Sequence, residues 1–177
     1  MKVILTTQRL ILREYTMDDL EGLLEIISDE ETMKYYPRPY DRDGAVRWIN
    51  WCMNSYSQNG FGLWAIQLRD GGEFIGDCGI SMQNIDGESL PEIGYHINKR
   101  HWRLGYASEA AAAVRDWGFT NRDFDSLYSY MNSENIPSYS TAASVGLRRI
   151  KEYEDDDGIN CLVYKIDRED WQTKGNR

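Results

Sequence analysis

The stretch "KRHWRLGYASEAAAAV", Lys99 to Val114, constrains the fold more than any other part of the chain. Its second half predicts a helix from about Tyr106 to Phe119, with an apolar face at Ala107, Ala110, Ala111, Val114 and Trp117. All but Trp117 are small or medium, so this helix must lie close against something flat, a sheet. Its first half is a loop in which Lys99, Arg100, His101 and Arg103 crowd Trp102, with Gly105 just before the helix. The preceding "LPEIGYHI" reads as a short strand with Gly94 in its interior. A strand therefore empties through a basic loop into a helix start, and such a place binds anions.

The other elements follow from periodicity and turn chemistry. "TQRLILREY", Thr7 to Tyr15, alternates as a strand does: Leu10 and Leu12 point one way, and Arg9, Ile11 and Arg13 the other. Thr16 or Asp18 can cap a helix carrying Leu20, Leu23, Leu24 and Ile27. After Pro37–Pro39, Asp43 starts a second helix with Val46, Ile49, Met53 and Tyr56 on one face, closed by Asn59-Gly60. "FGLWAIQL" and "EFIGDCGISM" form a hairpin about Asp70-Gly71-Gly72. Gly76 and Gly79 there signal bends or close backbone approach. Asp86-Gly87 marks a further turn. "SLYSYM" is a strand, and "SENIPSYSTAASVG" a capped helix with Pro137 in its first turn. Strands Leu147 to Tyr153 and Cys161 to Ile166 flank the acidic turn "EDDDG". The order is β-α-α-β-β-β-α-β-α-β-β, a mixed α/β (α+β) single domain over residues 1–177 with its core at about 7–167.

Composition narrows the partners. The 177 residues carry a formal charge of −9, which makes nucleic acid a poor partner and a cationic ligand a better one. No apolar run approaches the roughly 20 residues of a membrane span, and the N-terminus is too short in apolar residues for a signal peptide. The expected location is cytoplasmic, with no membrane partner. Cys52, Cys78 and Cys161 form no C-x-x-C pair and read as buried free thiols. With only His96 and His101 for histidines, no metal site is expected.

The loop is neither of the common nucleotide motifs. No Lys-Ser follows Gly105, so it is no P-loop. Gly105 stands alone and late in the chain, which excludes a dinucleotide fingerprint. What remains is a phosphate cradle of loop N–H groups and a helix dipole, with Lys99, Arg100 and Arg103 nearby.

Taken together, strand "PEIGYHI", loop "NKRHWRLGYA", the alanine-rich helix, strand "SLYSYM" and "ENIPSYSTAASVGL" resemble the GCN5-related N-acetyltransferase (GNAT) family. The opening "TQRLILREYTMDDL" is similar to its RimJ/RimL branch of ribosomal-protein N-terminal acetyltransferases. The family signature Q/R-x-x-G-x-G/A matches Trp102, Arg103, Leu104, Gly105, Tyr106 and Ala107, departing only at Trp102, where the branch commonly has Trp. The resemblance implies a mixed sheet of about seven strands with helices on both faces. It implies acetyl-CoA as co-substrate, its pyrophosphate on the N–H groups of Arg103, Leu104, Gly105, Tyr106 and Ala107, next to Ser108. Arg100 and Arg103 would meet the nucleotide phosphates. The pantetheine arm would pair with the strand edge from Glu92 through Ile93, Gly94, Tyr95, His96 and Ile97. A homodimer is common in the family.

The implied reaction is direct attack of an amine on the thioester. The amine must be neutral, so a base must take its proton. Glu92, read as opening its strand beside the thioester, is the favoured base; Glu14 and Asp77 are lesser candidates for it, each read more readily as a surface or hairpin residue. The tyrosine acid of many members aligns with Ala142 and is missing. The resemblance puts Asn135 on the pantetheine and Ser138 near the sulfur, with Tyr139 as the alternative acid; Asn135 also reads as a helix cap. His96 and His101 are read without catalytic roles. Trp48, Trp51 and Tyr35 or Tyr36 would wall the acceptor pocket, and the turn Glu152 to Asp157 would border it. The acceptor is a protein N-terminus by analogy with the branch, or a small cationic amine such as a polyamine or amino sugar by charge; a CoA-binding module without catalysis is the other reading.

Overall fold

The chain begins with a small antiparallel hairpin, β1 (Val3–Thr6) and β2 (Leu10–Arg13). It is followed by α1 (Leu20–Ile27), α2 (Arg42–Asn59), β3 (Leu63–Leu68), β4 (Phe74–Ile85) and β5 (Glu88–Ile97). Then come α3 (Tyr106–Asn121), β6 (Ser126–Asn132), α4 (Ile136–Ser144), β7 (Arg148–Glu154), β8 (Asn160–Asp167) and α5 (Arg168–Gly175). This computed structural model describes residues 2–175. The strands form one sheet of 8 in the order β1-β2-β3-β4-β5-β6-β8-β7. Every neighbouring pair is antiparallel except β5 and β6. That is one strand more than the sequence pattern predicts, because "VILT" is too short to show alternation on its own. α5 is also unforeseen: it is held by Trp171, which stacks on Phe119 at 5.2 Å and donates its indole N–H to Asp116 at 2.7 Å.

Side-chain alternation sorts the core into two layers. On β3, Trp64 and Ile66 join the layer under α3 and α4, while Leu63 and Ala65 join the layer under α1 and α2. α2 is rotated from its expected face. Gly44, Ala45, Ile49, Cys52 and Ser55 are buried and Met53 is 40% exposed, because mostly small residues flank Ile49 on the face that meets the sheet. Arg13 points away from Leu10 and Leu12, as alternation predicts, but into the protein: its guanidinium pairs with buried Asp19 at 2.6 and 2.8 Å. That ion pair ties β2 to the entrance of α1.

α3 lies close on the sheet. Ala110, Ala111 and Val114 are fully buried. A Cβ on Gly118 would come within 2.6 Å of Ile80 Cδ1 and 3.1 Å of Leu127 Cδ1, so the backbone itself touches strand side chains. Ala111→Leu should therefore overpack this contact and cost about 1–3 kcal/mol in urea unfolding; an unchanged midpoint would show the helix stands further from the sheet.

Candidate active site

The site is built on the parallel pair. β5 is paired with β4 along all ten residues, and β6 with β8 along all seven. Between β5 and β6 only one register is formed, Glu92 opposite Tyr128. Past it the strands part, and the edge of β5 from Ile93 to Ile97 loses its ladder partner. Backbone groups left this way seek another partner.

Glu92 does not open its strand, as the sequence suggested. Asp86 and Gly87, with φ of 49° and 83°, make a tight two-residue turn, so β5 already starts at Glu88. Glu92 therefore sits mid-strand at the point of parting, opposite Ser81 on β4. It is partly buried, and removal from water pushes its carboxyl up to about 7, against the opposing pull of His96 and the Tyr130 backbone.

At the end of β5 the loop turns into α3. Arg103 and Gly105 both have left-handed φ, 61° and 80°. The first-turn N–H groups of Tyr106, Ala107 and Ser108 have no intrahelical acceptor, and Gly105 supplies no side-chain cap. These free donors fit an anion such as a pyrophosphate. The loop's cations are mostly engaged elsewhere. Lys99 pairs with Asp29 at 2.5 Å, Arg100 with Glu25 at 2.7 Å, and His101 Nε2 meets Glu73 at 3.1 Å. Arg103 forms no ion pair among the described residues.

Two anchors of this loop escaped the sequence reading. Trp102 donates its indole N–H to the carbonyl of Ile97 at 2.7 Å, which folds the loop back onto the strand end. Arg9, from the turn before β2, donates to the carbonyl of Leu104 at 2.9 Å, lies 4.4 Å over the Tyr106 ring and pairs with Glu109 at 2.6 Å. Glu109 also accepts from Thr7 Oγ1 at 2.6 Å. The signal was "TQR" together with the glutamate of "ASEA".

On the α3 and α4 side of the opening, Tyr95 donates its hydroxyl to the carbonyl of Ser138 at 2.7 Å and lies 3.4 Å from Ser138 Oγ. Asn135 caps α4, accepting from the Ser138 N–H at 3.2 Å. Ser108 is bonded to Ser144 at 3.1 Å, and Ala142 is buried.

On the other side lies a polar cluster, and here the sequence reading of Asp77 is corrected. Asp77 is no hairpin surface residue but fully buried, because β4 is a central strand covered by α2. It accepts from Tyr15 at 2.9 Å and from the Trp48 indole at 3.2 Å, and meets His96 Nδ1 at 2.8 Å. His96 Nε2 in turn meets the Tyr36 hydroxyl at 2.7 Å. Glu92 and His96 share one face of β5. Trp48 stands edge-on to His96 at 5.1 Å, while Trp51 is 41% exposed. Glu14 pairs with Lys2 at 3.0 Å, away from this cluster. In the acidic turn, Asp155 accepts from the N–H groups of Asp157 and Ile159, the ordinary work of a hairpin.

Residues 9–148 match the family model described as Acetyltransferase (GNAT) domain. The chain belongs to the GNAT acetyltransferase family. It is 32% identical to the uncharacterized N-acetyltransferase YnaD of Bacillus subtilis over 146 residues, 82% of each chain. A GNAT-family acetyltransferase structure from Bacillus anthracis superposes with a TM-score of 0.81 at 25% identity, covering 96% of this chain and 99% of that one. RimL, described as a ribosomal L7/L12 alpha-N-protein acetyltransferase in complex with coenzyme A, superposes with a TM-score of 0.78 at 12% identity, covering 94% and 98%. The last shows a shared fold. The protein is thus an acetyltransferase, and members of its family use acetyl-CoA.

Because the charged form of Glu92 is disfavoured in the fold, this group stabilises below the ordinary carboxylate range and that contribution is lost as pH rises to about 7. Glu92→Gln should therefore gain stability relative to the parent between pH 5 and pH 8 in denaturant melts. A stability difference flat across that range would contradict the assignment.

Proposed function

We propose that this chain transfers the acetyl group of acetyl-CoA to the α-amino group of a protein N-terminus, by direct attack in a ternary complex. The observation that carries the reading is the parting of β5 and β6 at Glu92, which sets a carboxylate beside a free strand edge leading to the α3 N-terminus. The pantetheine amides would add to the edge of Ile93–Ile97, and the pyrophosphate would lie on the loop N–H groups of residues 103–107. Glu92 then faces the thioester, and Ser138 and Tyr95 lie on the far side of the opening. The fold shared with RimL, a ribosomal L7/L12 alpha-N-protein acetyltransferase, supports a protein N-terminus as acceptor. The −9 charge favours a second reading, a small cationic amine. The missing late-helix tyrosine at Ala142 favours a third, a CoA-binding module without catalysis.

Thiol release from acetyl-CoA over peptide N-termini, polyamines, amino sugars and amino acids separates the three. Turnover on peptides is the expected result; turnover on polyamines or amino sugars alone would favour the second reading. Acetyl-CoA binding in calorimetry without turnover on any amine would favour the third. Gly105→Val forces a β-branched residue into a left-handed φ of 80° and should abolish acetyl-CoA binding. Unchanged affinity would remove the pyrophosphate from this loop.

A further inference from the structure

Acetylating a protonated amine removes two protons from one nitrogen. The ammonium loses the first before it can attack. The adduct with the thioester carbonyl loses the second as the carbon–sulfur bond breaks. One proton ends on the coenzyme A sulfur and the other in solvent. A single carboxylate, Glu92, takes one of them.

The polar cluster beside it is arranged to take the other. Asp77 offers only acceptors, and the Tyr15 hydroxyl and the Trp48 indole already fill Oδ2. Its Oδ1 therefore receives the proton of His96 Nδ1. That leaves His96 Nε2 as a bare nitrogen, so the Tyr36 hydroxyl donates to it. The lone pairs of the Tyr36 oxygen are then free to accept. Tyr36 is 38% exposed on the loop after α1, and its hydroxyl reaches β5 through His96, which shares the strand face of Glu92. It is therefore the solvent end of the cluster.

We propose that Tyr36, His96 and Asp77 form a proton relay that deprotonates the acceptor ammonium, resting on the acetyltransferase reading above. The ammonium N–H bonds to the Tyr36 oxygen. Its proton passes to that oxygen as the phenol proton passes to His96 Nε2, so Tyr36 ends neutral and His96 ends as imidazolium against Asp77. The free amine attacks the thioester carbon, and Glu92 takes the second proton from the adduct nitrogen. The thiolate leaves and is protonated from Glu92, and the imidazolium returns its proton to water. Tyr36 is the catalytic residue here, His96 stores the proton, and Asp77 is a positioning residue that fixes the tautomer. The groups facing His96 are Asp77 from β4, Glu92 from β5 and Tyr36 from the loop after α1. Burial works against the imidazolium, but the charge and hydrogen bond of Asp77 outweigh it and raise the His96 pKa above its ordinary value.

Two measurements test this. Nitrogen NMR of histidine-labelled protein, followed to a pH above the His96 titration, should show the neutral ring with Nδ1 protonated and Nε2 bare, and Tyr36→Phe should shift Nε2 alone. A neutral ring protonated at Nε2 overturns the relay whatever the kinetics show. The second measurement compares ethylamine with 2,2-difluoroethylamine, similar in size but differing in ammonium acidity. Tyr36→Phe should lower turnover of ethylamine by roughly 10²-fold, with a much smaller loss on the fluorinated amine. Acetyl-CoA affinity should not change. Equal losses on both amines, or none, overturn the relay while leaving the acetyltransferase reading intact. If the parent protein acetylates neither amine, the tautomer decides. If acetyl-CoA does not bind, that reading itself fails.

Discussion

The site depends on one constraint: two parallel strands that can pair at a single register. β5 and β6 are each bound along their whole length to an antiparallel neighbour on the other edge. The twist of a sheet lets such strands diverge once nothing holds them together. The α3 crossover between them supplies no such hold, since it lies on one face of the sheet. The divergence exposes the edge of β5 toward its C-terminal end, where α3 begins. Strand edge and helix N-terminus thus share one end of the sheet, the usual place for a ligand in parallel pairs.

The electrostatics follow from this geometry more than from side-chain charge. In a protein of −9 the groups left free for an anion at this loop are chiefly backbone dipoles, because Lys99 and Arg100 are already neutralised by carboxylates from α1 and the loop after it. Those pairs instead lash the loop to the α1 side, while Trp102 and Arg9 hold it from the strand end and from β2. The loop is thus tied from three sides, and N–H groups held in place beforehand lose less entropy when a ligand arrives.

Much of this was legible in the sequence. The small face of α3 announced its sheet, and Gly105 marked the start of the helix. Asn135 declared itself as a cap. The N-terminal hairpin, the true start of β5 and the burial of Asp77 were not legible, for different reasons. "VILT" carries no periodicity of its own. The start of β5 depends on Asp86 adopting φ 49°, which a sequence only permits. Asp77 reads as polar and solvated, and only the convergence of Tyr15, Trp48 and His96 from three separate elements makes its burial affordable. Long-range convergence of this kind leaves no local pattern. That is why the histidine the sequence set aside became the centre of the cluster.

The central claim is that the open edge of β5 and the α3 N-terminus together receive the acetyl donor. Amide hydrogen exchange with and without acetyl-CoA measures this at the groups concerned. The account predicts new protection confined to the amides of residues 93–97 and 103–108. Protection that left the β5 edge unchanged while appearing elsewhere would contradict it.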